Sequence, residues 1–577
     1  MKLPKHLSFH GLNFSPIKPL TNMQSRPRKR WQRQLAPLLA LTIAIASFGH
    51  GMAIAAERLR IRFGPLETTL EIDDLERFAR TGKASGDLEL IEPFLIPEIR
   101  ELLLRRVDID PEIADDAIDL LLESSAGQRW IQIVLLMIPD STVEQVKAAI
   151  KLAIRQADGL SSIGILKALP GETITLDATA AIAAASRLNL PYLEAQILRS
   201  RLESDLETET DGPFTAPFDP ALPGSYPVRE TTLTLADRQR DRDIPVDLYI
   251  PDDPKSPLVV MSPGLGGDRS FLTYLARHLA SHGFPVVAVE HPRSNRASLS
   301  DRPVSLDLGQ LMPPSEFLDR PQDIRFVLDR LASGDGDLRV PLDTDNVVAI
   351  GHSLGGYTVL ALAGAELRLD DLREVCGDTP EASRSYRQWL GKAPADLLQC
   401  TATQLSGNRK NLRDRRIQGA IALNPVVGEL FGDKGLDRLD TPVAIVAATE
   451  DGWAPAVTHQ LRPFLDLPEP KYLITAIGAS HFSATDPDNP DVLDPESESN
   501  RVRDSLESEN YRQLLRGASL AFVAQFTPEA NAYRPFLTGA YAQSLSTPTV
   551  PLRLNREIPK RLARWLESTR AEITRRD

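Results

Sequence analysis

The sequence is poor in the residues that commonly build metal or redox sites. Its 577 residues include two cysteines and nine histidines, and their spacing matches no zinc-binding pattern. It also lacks a phosphate-binding P-loop, an internal repeat and a coiled-coil heptad. We therefore expect a globular protein that uses no metal and no cofactor, and 42% hydrophobic with 25% charged residues is typical of that class.

Acidic residues outnumber basic residues in most of the chain. The formal net charge is −13, yet residues 1–55 contain eight Lys and Arg and no Asp or Glu. Because those eight positive charges belong to the first segment, the rest of the chain carries a net charge of −21. An acidic body without a basic stripe argues against a nucleic-acid partner.

Only one apolar run has the context of a targeting segment. Residues 35–48 follow the basic stretch 26–33 and precede small residues at 53–56. This order predicts a signal peptide at 1–55 and export to the periplasm or the outside, with either Met1 or Met23 as the start. The run is short for a membrane span, so an uncleaved anchor is the less favoured alternative. No later segment is long and apolar enough to span.

Residues 56–204 differ in pattern from the rest of the chain. Two alternating segments, 58–63 and 68–72, predict a small hairpin, and apolar faces broken by prolines then predict several short helices. We interpret this part as an all-α domain of unknown function. An acidic and then proline-rich linker, 205–227, separates it from a second domain at 228–577.

The second domain alternates predicted strands with predicted helices. The strands are 230–235, 244–250, 258–261, 286–289, 347–350, 417–423, 443–447 and 472–477, and the helices include 271–281 and 322–331. Such alternation predicts the α/β class, with a mostly parallel sheet covered by helices on both faces. An insertion at 366–416 interrupts the pattern.

The stretch 347–357 carries the strongest chemical signal. Gly351-His352-Ser353-Leu354-Gly355 fits G-x-S-x-G between a short apolar strand and a helix of small residues. A serine on such a sharp turn exposes its hydroxyl, and the two glycines leave room for the neighbouring strand and helix. Ser353 is therefore the candidate nucleophile.

A serine hydroxyl needs a base to take its proton as it attacks, and the base needs an acid to orient it. His459 and His481 are the histidines that follow Ser353. His481 comes after the strand 472–477 through a short loop and is the predicted base. His459 lies in a predicted helix and is the alternative.

The acid is expected at the end of the strand 443–447, because acids of such sheets lie on loops after strands. Asp451 occupies that position and is the predicted acid. Its neighbour Glu450 is the alternative.

The negative oxygen that forms during acyl transfer needs hydrogen-bond donors. One main-chain N–H is expected from Leu354, and the second from Leu265 in the loop 262–267 after the strand 258–261. A dinucleotide-binding loop does not fit, because Arg269 takes the place of the last glycine of G-x-G-x-x-G. A plain turn is the remaining alternative.

Together, these motifs resemble the α/β-hydrolases of the platelet-activating factor acetylhydrolase and dienelactone hydrolase group. The resemblance covers residues 228 to about 527 and includes the opening strand 244–251, and the residues before it resemble an uncharacterised helical domain that precedes some exported hydrolases. It implies carboxylester hydrolysis. The implied residues are a triad of Ser353, Asp451 and His481 and an oxyanion hole of Leu265 and Leu354.

The residue type at the nucleophile position favours one part of this group. Dienelactone hydrolases proper use cysteine, so Ser353 favours the lipase and acetylhydrolase side and an acyl-enzyme formed from a lipid or other small ester. A peptidase or thioesterase with the same triad, or a catalytically silent binding protein, stays an alternative because a fold does not fix the acyl substrate. The pattern makes no prediction about the oligomeric state.

Cys376 and Cys400 both lie in the insertion. Export favours a disulfide between them, with two unpaired thiols as the alternative. A basic run, 409–416, indicates either peripheral contact with anionic lipid headgroups or, as we favour, a solvated loop.

An acidic stretch follows the predicted base. Asp486, Asp488, Asp491 and Asp494 are spaced only loosely like calcium ligands. Prolines lie between them and the glycine of a calcium loop is missing, so we expect no metal there.

Overall fold

The computed structural model describes residues 56–63, 66–89, 100, 103–104, 106–107, 125–155, 160–177, 199–210, 212–300, 311–334, 342–376, 392–487 and 508–574. The predicted signal peptide lies outside these ranges. Within them, no helix combines the length and the apolar character that crossing a membrane requires.

The described chain before residue 178 combines short helices with small sheets. Its elements are β1 (Arg58–Phe63), β2 (Leu66–Glu71), α1 (Ile72–Thr81), β3 (Arg106–Val107), α2 (Ser125–Met137), α3 (Val143–Arg155), β4 (Leu160–Ser161), α4 (Ser162–Ala168) and β5 (Thr173–Asp177). Strands β1 and β2 form the predicted antiparallel hairpin, and β5 pairs in parallel with the other edge of β1. The region is thus mostly helical but not all-α. Five residues are too few to show a period, and β5 becomes a strand only through its pairing with β1.

Residues 199–227 lie against the second domain. Helix α5 (Arg199–Asp205) begins this segment, and Leu202 and Leu206 are buried in the main core. Further along, the carbonyl oxygen of Pro220 accepts a hydrogen bond from Nε2 of His278 at 3.0 Å. The predicted linker 205–227 is therefore attached to the second domain at Leu206 and Pro220, contacts that its charge and proline content do not reveal.

The second domain is built on one large sheet. Its strands are β6 (Val228–Asp237), β7 (Arg242–Pro251), β8 (Leu258–Ser262), β9 (Val286–Val289), β10 (Val347–His352), β13 (Ile417–Leu423), β14 (Val443–Glu450), β15 (Lys471–Ser480) and β16 (Leu552–Asn555), while β11 (Glu366–Arg368) and β12 (Arg409–Asn411) pair with each other in the insertion. The order in the nine-stranded sheet is β16-β15-β14-β13-β10-β8-β9-β7-β6. The six strands from β15 to β9 are parallel. At the edges, β16 pairs antiparallel with β15, β7 with β9, and β6 with β7.

Helices cover both faces of this sheet. They are α6 (Thr273–Ser281), α7 (Arg296–Ser300), α8 (Glu316–Ala332), α9 (Leu354–Ala363), α10 (Leu369–Cys376), α11 (Pro394–Cys400), α12 (Arg462–Leu465), α13 (Glu509–Ala524), α14 (Ala530–Tyr533), α15 (Gly539–Ser544) and α16 (Lys560–Thr574). Alternate residues of β8 belong to different buried clusters, Leu258 and Val260 to one and Val259 and Met261 to the other. Helices α8 and α9 cover the first face, and α6 and α13 cover the second. The predicted α/β class is confirmed.

A proline inside α8 determines how α8 and α9 are joined. Pro321 has no N–H to donate to the carbonyl oxygen of Phe317, four residues earlier. The hydroxyl of Tyr357 on α9 donates to that carbonyl instead, at 2.7 Å. Tyr357 therefore fixes the helix that follows Ser353 against α8.

The insertion carries a disulfide. Cys376 at the end of α10 is bonded to Cys400 at the end of α11, with a Cα–Cα distance of 5.6 Å. The predicted pairing is confirmed.

Much of the basic run 409–416 is paired within the protein. Arg416 lies 2.7 Å from Asp329 and 2.7 Å from Asp414, and Arg413 lies 2.5 Å from Asp440. These ion pairs neutralise part of the charge that contact with anionic lipid headgroups would use.

Candidate active site

Ser353 lies on a sharp turn between the central strand β10 and helix α9. Its φ of 55° and ψ of −118° fall outside the regions that non-glycine residues usually adopt. A Cβ added to Gly351 would lie 2.1 Å from the carbonyl oxygen of Gly355, and one added to Gly355 would lie 2.1 Å from that of Ser262. The predicted turn is present, and the two glycines are required by the close approach of main chain.

The three residues predicted as nucleophile, base and acid lie in contact. Nε2 of His481 is 3.0 Å from Oγ of Ser353, and Nδ1 of His481 is 2.7 Å from Oδ2 of Asp451. An ionised carboxylate only accepts hydrogen bonds, so Nδ1 carries the proton of a neutral imidazole and Nε2 faces the serine hydroxyl as an acceptor. Ser353 is 7% exposed and His481 is 4% exposed, so the contact is shielded from water.

Four further donors surround the carboxylate of Asp451. Oδ1 accepts from the main-chain N–H groups of Trp453 at 3.0 Å and Ala454 at 2.7 Å. Oδ2 accepts from the side-chain amides of Gln460 at 2.8 Å and Asn424 at 3.1 Å. The sequence analysis missed both amides. Asn424 directly follows β13 at the carboxyl edge of the sheet, which is the only signal that the sequence offers for it.

These contacts determine the charge of the buried acid. Burial raises the pKa of Asp451, but the neighbouring His481 and the hydrogen bonds to the carboxylate outweigh burial and hold the pKa below its usual value. Asp451 is therefore ionised at neutral pH and fixes the orientation of His481.

The two alternatives from the sequence lie elsewhere. Nε2 of His459 is 2.9 Å from Oδ1 of Asp396 in α11. Oε1 of Glu450 is 2.8 Å from Nη1 of Arg199. The contact with Ser353 belongs to His481, and the contact with His481 belongs to Asp451.

The loop after β8 passes beside Ser353. A Cβ added to Gly264 would lie 3.1 Å from Cβ of Ser353, so Leu265, the next residue, is also near the serine. Leu354 is the first residue of α9, where main-chain N–H groups have no partner within the helix. Both predicted oxyanion donors thus belong to segments that adjoin Ser353.

His352 is a further residue that the sequence analysis did not single out. It is buried, and its Nε2 donates a hydrogen bond to the main-chain oxygen of His481 at 2.8 Å. Burial, with a smaller contribution from His481, lowers the pKa of His352 to about 3, so this ring is neutral. Its position inside the motif gave no signal for this contact, because any residue fits there.

Two aromatic side chains border His481. The ring centroid of Trp453 lies 6.4 Å from that of His481, and that of Phe482 lies 5.1 Å from it. Both are half-buried, as is Leu265. The rim of the site is therefore apolar on the side of the base and of the loop after β8.

One of the four residues of the acidic stretch after His481, Asp486, belongs to the described part of the chain. There, no group of three or more His, Cys, Asp or Glu side chains is arranged to hold an ion. Asp486 instead accepts a hydrogen bond from the main-chain N–H of Tyr274 at 2.7 Å. Asp488, Asp491 and Asp494 lie outside the described residues.

A serine on a sharp turn after a central parallel strand, followed along the chain by an acid and then a histidine, is the arrangement of the α/β-hydrolase fold, and the chain has this fold. Residues 55–177 match the family model described as an alpha/beta hydrolase of unknown function (DUF1400). Residues 243–302 match the model of platelet-activating factor acetylhydrolase, isoform II. Over these two stretches the chain is therefore similar to an α/β-hydrolase family of unknown function and to platelet-activating factor acetylhydrolases.

Two similar proteins are the platelet-activating factor acetylhydrolases of Cavia porcellus and Canis lupus familiaris. The chain is 30% identical to the first over 145 residues and 30% identical to the second over 149 residues. Each match covers 20% of this chain and 33% of the relative. The chain thus spans about a third of the length of these relatives.

Proposed function

We propose that the protein is a serine carboxylester hydrolase that acts through an acyl-enzyme on a lipid or other small ester. One observation carries the proposal, the 3.0 Å contact between Oγ of Ser353 and Nε2 of a histidine whose Nδ1 is bonded to a buried carboxylate. This geometry supplies a nucleophile, a base and an orienting acid in one continuous set of contacts.

In the acylation step, Oγ of Ser353 attacks the ester carbonyl carbon while Nε2 of His481 takes the hydroxyl proton. The carbonyl oxygen becomes negative, and main-chain N–H groups of Leu265 and Leu354 stabilise that charge. When the tetrahedral intermediate collapses, the bond to the alcohol oxygen breaks and His481 gives its proton to that oxygen. The acyl group stays on Ser353.

In the deacylation step, water attacks the acyl-enzyme and gives a proton to His481. The bond between the acyl carbon and Oγ of Ser353 breaks, the proton returns to Oγ, and the carboxylic acid leaves. In both steps His481 becomes an imidazolium, and the negative charge of Asp451 stabilises it. The lowered pKa of Asp451 supports this role, because the carboxylate stays ionised at neutral pH.

Two observations support a lipid ester as the substrate class. Trp453, Phe482 and Leu265 give the rim of the site an apolar surface that suits an acyl or alkyl group. The matching relatives are named as hydrolases of the acetyl group of platelet-activating factor.

A panel of activated esters with short to long acyl chains, run beside matched amides and thioesters, tests the proposal. We expect ester turnover by the wild-type protein, none by Ser353→Ala, and labelling of Ser353 alone by a fluorophosphonate probe. Faster turnover of the amides or the thioesters than of the esters would contradict an ester as the substrate class and would favour the faster class instead. Labelling that survives Ser353→Ala would contradict the nucleophile.

We also propose that the protein is exported after removal of residues 1–55. The disulfide between Cys376 and Cys400 supports this, because such bonds persist in oxidising compartments. Amino-terminal sequencing of the mature protein should give a start near residue 56. Intact protein retained in the cytoplasm would contradict export.

A further inference from the structure

Arg320 is a buried arginine behind the loop that carries Leu265. It lies on α8 and is 0% exposed. Its Nη2 donates to the main-chain oxygen of Pro263 and, at 3.3 Å, to the hydroxyl of Ser262. Its Nη1 donates to the hydroxyl of Ser294 at 2.8 Å. One guanidinium group thus joins three points around the loop.

The contacts lie on both sides of Leu265. Before it, the carbonyl of Pro263 is held by Arg320. After it, the N–H of Gly266 donates to the main-chain oxygen of Ser294 at 2.8 Å, and Ser294 is itself bonded to Arg320. The peptide group of Leu265 is therefore held between two anchors that depend on the same side chain.

The surrounding charges keep this arginine ionised. Oε1 of Glu316 is 2.7 Å from Arg242, and Oε2 of Glu316 accepts from the hydroxyl of Ser294 at 2.6 Å. Burial lowers the pKa of Arg320 to about 10, while Glu316 and Asp323 act in the opposite direction, so the cation persists at neutral pH. A buried charge lowers stability unless its contacts offset the desolvation, and here the hydrogen bonds to Pro263, Ser262 and Ser294 supply such contacts.

A second set of contacts fixes the start of the same loop. The hydroxyl of Ser262 lies 3.0 Å from Nε2 of His291, whose Nδ1 lies 2.9 Å from Oδ2 of Asp323. The residue types repeat those of the candidate triad, but these three are 0%, 1% and 0% exposed, so no substrate reaches them. This set anchors the end of β8 and is not a second active site.

We propose that Arg320 is a positioning residue, which holds residues 263–266 so that the N–H of Leu265 is aimed at the oxyanion in each tetrahedral intermediate. This inference rests on the proposed function. Oxyanion donors act because they are oriented before the charge forms, and loss of one donor lowers kcat by about 10²–10³. Lysine keeps the charge but lacks the planar set of donors, so Arg320→Lys should lower kcat by roughly 10- to 100-fold.

Arg553→Lys is the matched control. Arg553 is also buried and donates to the main-chain oxygens of Glu203 and Leu552, each at 3.0 Å. It lies on β16, five positions from β8 in the sheet order. This variant should lower the melting temperature and leave kcat unchanged.

The test uses the full chain of each variant with a short-chain ester. Measurements are kcat, KM, the melting temperature and the affinity for two inhibitors, a trifluoromethyl ketone, which forms a tetrahedral adduct with serine, and an unreactive ether analogue of the substrate. We expect Arg320→Lys to lower the affinity for the ketone by about the same factor as it lowers kcat. KM and the affinity for the ether should stay within about two-fold of the wild-type values.

Two results would overturn the inference: an unchanged kcat in Arg320→Lys, or a lower kcat with unchanged affinity for the ketone. If Arg320→Lys does not fold, Ser294→Ala removes one hydroxyl anchor and should give the same paired losses in kcat and ketone affinity, at roughly ten-fold or less. An inactive wild-type protein would refute the proposed function. If the wild-type protein is active and Arg320→Lys has an unchanged kcat, only the role of Arg320 is refuted.

Discussion

The Nε2 atom of His352 donates a hydrogen bond to the main-chain oxygen of His481 at 2.8 Å, so the residue before the candidate nucleophile holds the loop of the candidate base. The two histidine rings also pack at 4.7 Å between centroids. The distance between Ser353 and His481 therefore depends on a main-chain contact as well as on their own side chains.

Buried neutral histidines should make stability depend on pH. The pKa values of His352 and His278 are both lowered to about 3, mainly by burial, whereas an unfolded histidine has a pKa of about 6.5. Between these values the unfolded chain binds more protons than the folded chain, so stability falls as pH falls. Each histidine should remove about 2 kcal/mol between pH 7 and pH 5.

Urea denaturation at pH 7, 6 and 5 measures this dependence. His278→Gln keeps a donor for the carbonyl of Pro220. Between pH 7 and pH 5 the unfolding free energy of this variant should fall less than that of the wild type, by the contribution of one histidine. The same decrease in this variant and in the wild type would contradict the prediction.

His481 and His459 should respond differently to substitution. His481→Ala should lower kcat by about 10⁴-fold or more, because within the described residues His481 is the group that contacts the hydroxyl of Ser353. His459→Gln should leave kcat within about three-fold of wild type and lower only the melting temperature, because His459 contacts Asp396 instead. Steady-state kinetics with one ester and thermal unfolding separate the two effects. Equal losses of kcat would contradict His481 as the base.

Gln460 should support catalysis through Asp451. Its Nε2 donates to Oδ2 of Asp451, and a hydrogen bond to a charged group contributes about 1.5–3 kcal/mol. Gln460→Met removes the donor at similar volume and should lower kcat about ten-fold or more. Thr458→Val, from the same turn, is the control and should leave kcat unchanged. A normal kcat in Gln460→Met would show that the other donors suffice.

The disulfide should stabilise the insertion without taking part in catalysis. Replacing both Cys376 and Cys400 by serine should lower the free energy of unfolding by about 3 kcal/mol, as expected for a loop of this length. We expect kcat to stay within about two-fold of the wild-type value, because two other contacts hold α11 in place. Asp396 contacts His459, and the N–H of Ala395 donates a hydrogen bond to the carbonyl of Trp453.

Non-reducing peptide mapping and chemical denaturation check this prediction. Reduction of the wild-type protein should reproduce the stability of the double variant. A large fall in kcat after either treatment would instead make the bond necessary for the geometry of the loop that carries Asp451.

The sequence by itself determined the features that depend on local constraints. A sharp turn at Ser353 allows no side chain at Gly351 or Gly355, so the motif alone predicts the turn. Apolar runs between turn residues predict the central strands, since a strand covered on both faces must be apolar throughout. The contacts of His481 with Ser353 and with Asp451 agree with the order that these strands imply.

Only the tertiary structure decided which distant groups meet. Asn424, Gln460, His352 and Arg320 are ordinary polar residues in the sequence, and they acquire their roles from atoms up to 129 residues away. Strand β5 and the contacts of Leu206 and Pro220 were missed for the same reason, because they depend on partners far along the chain. A hydrogen bond between distant residues leaves no periodic pattern in the sequence around either partner. The two partners are therefore identified only once the folded chain brings them together.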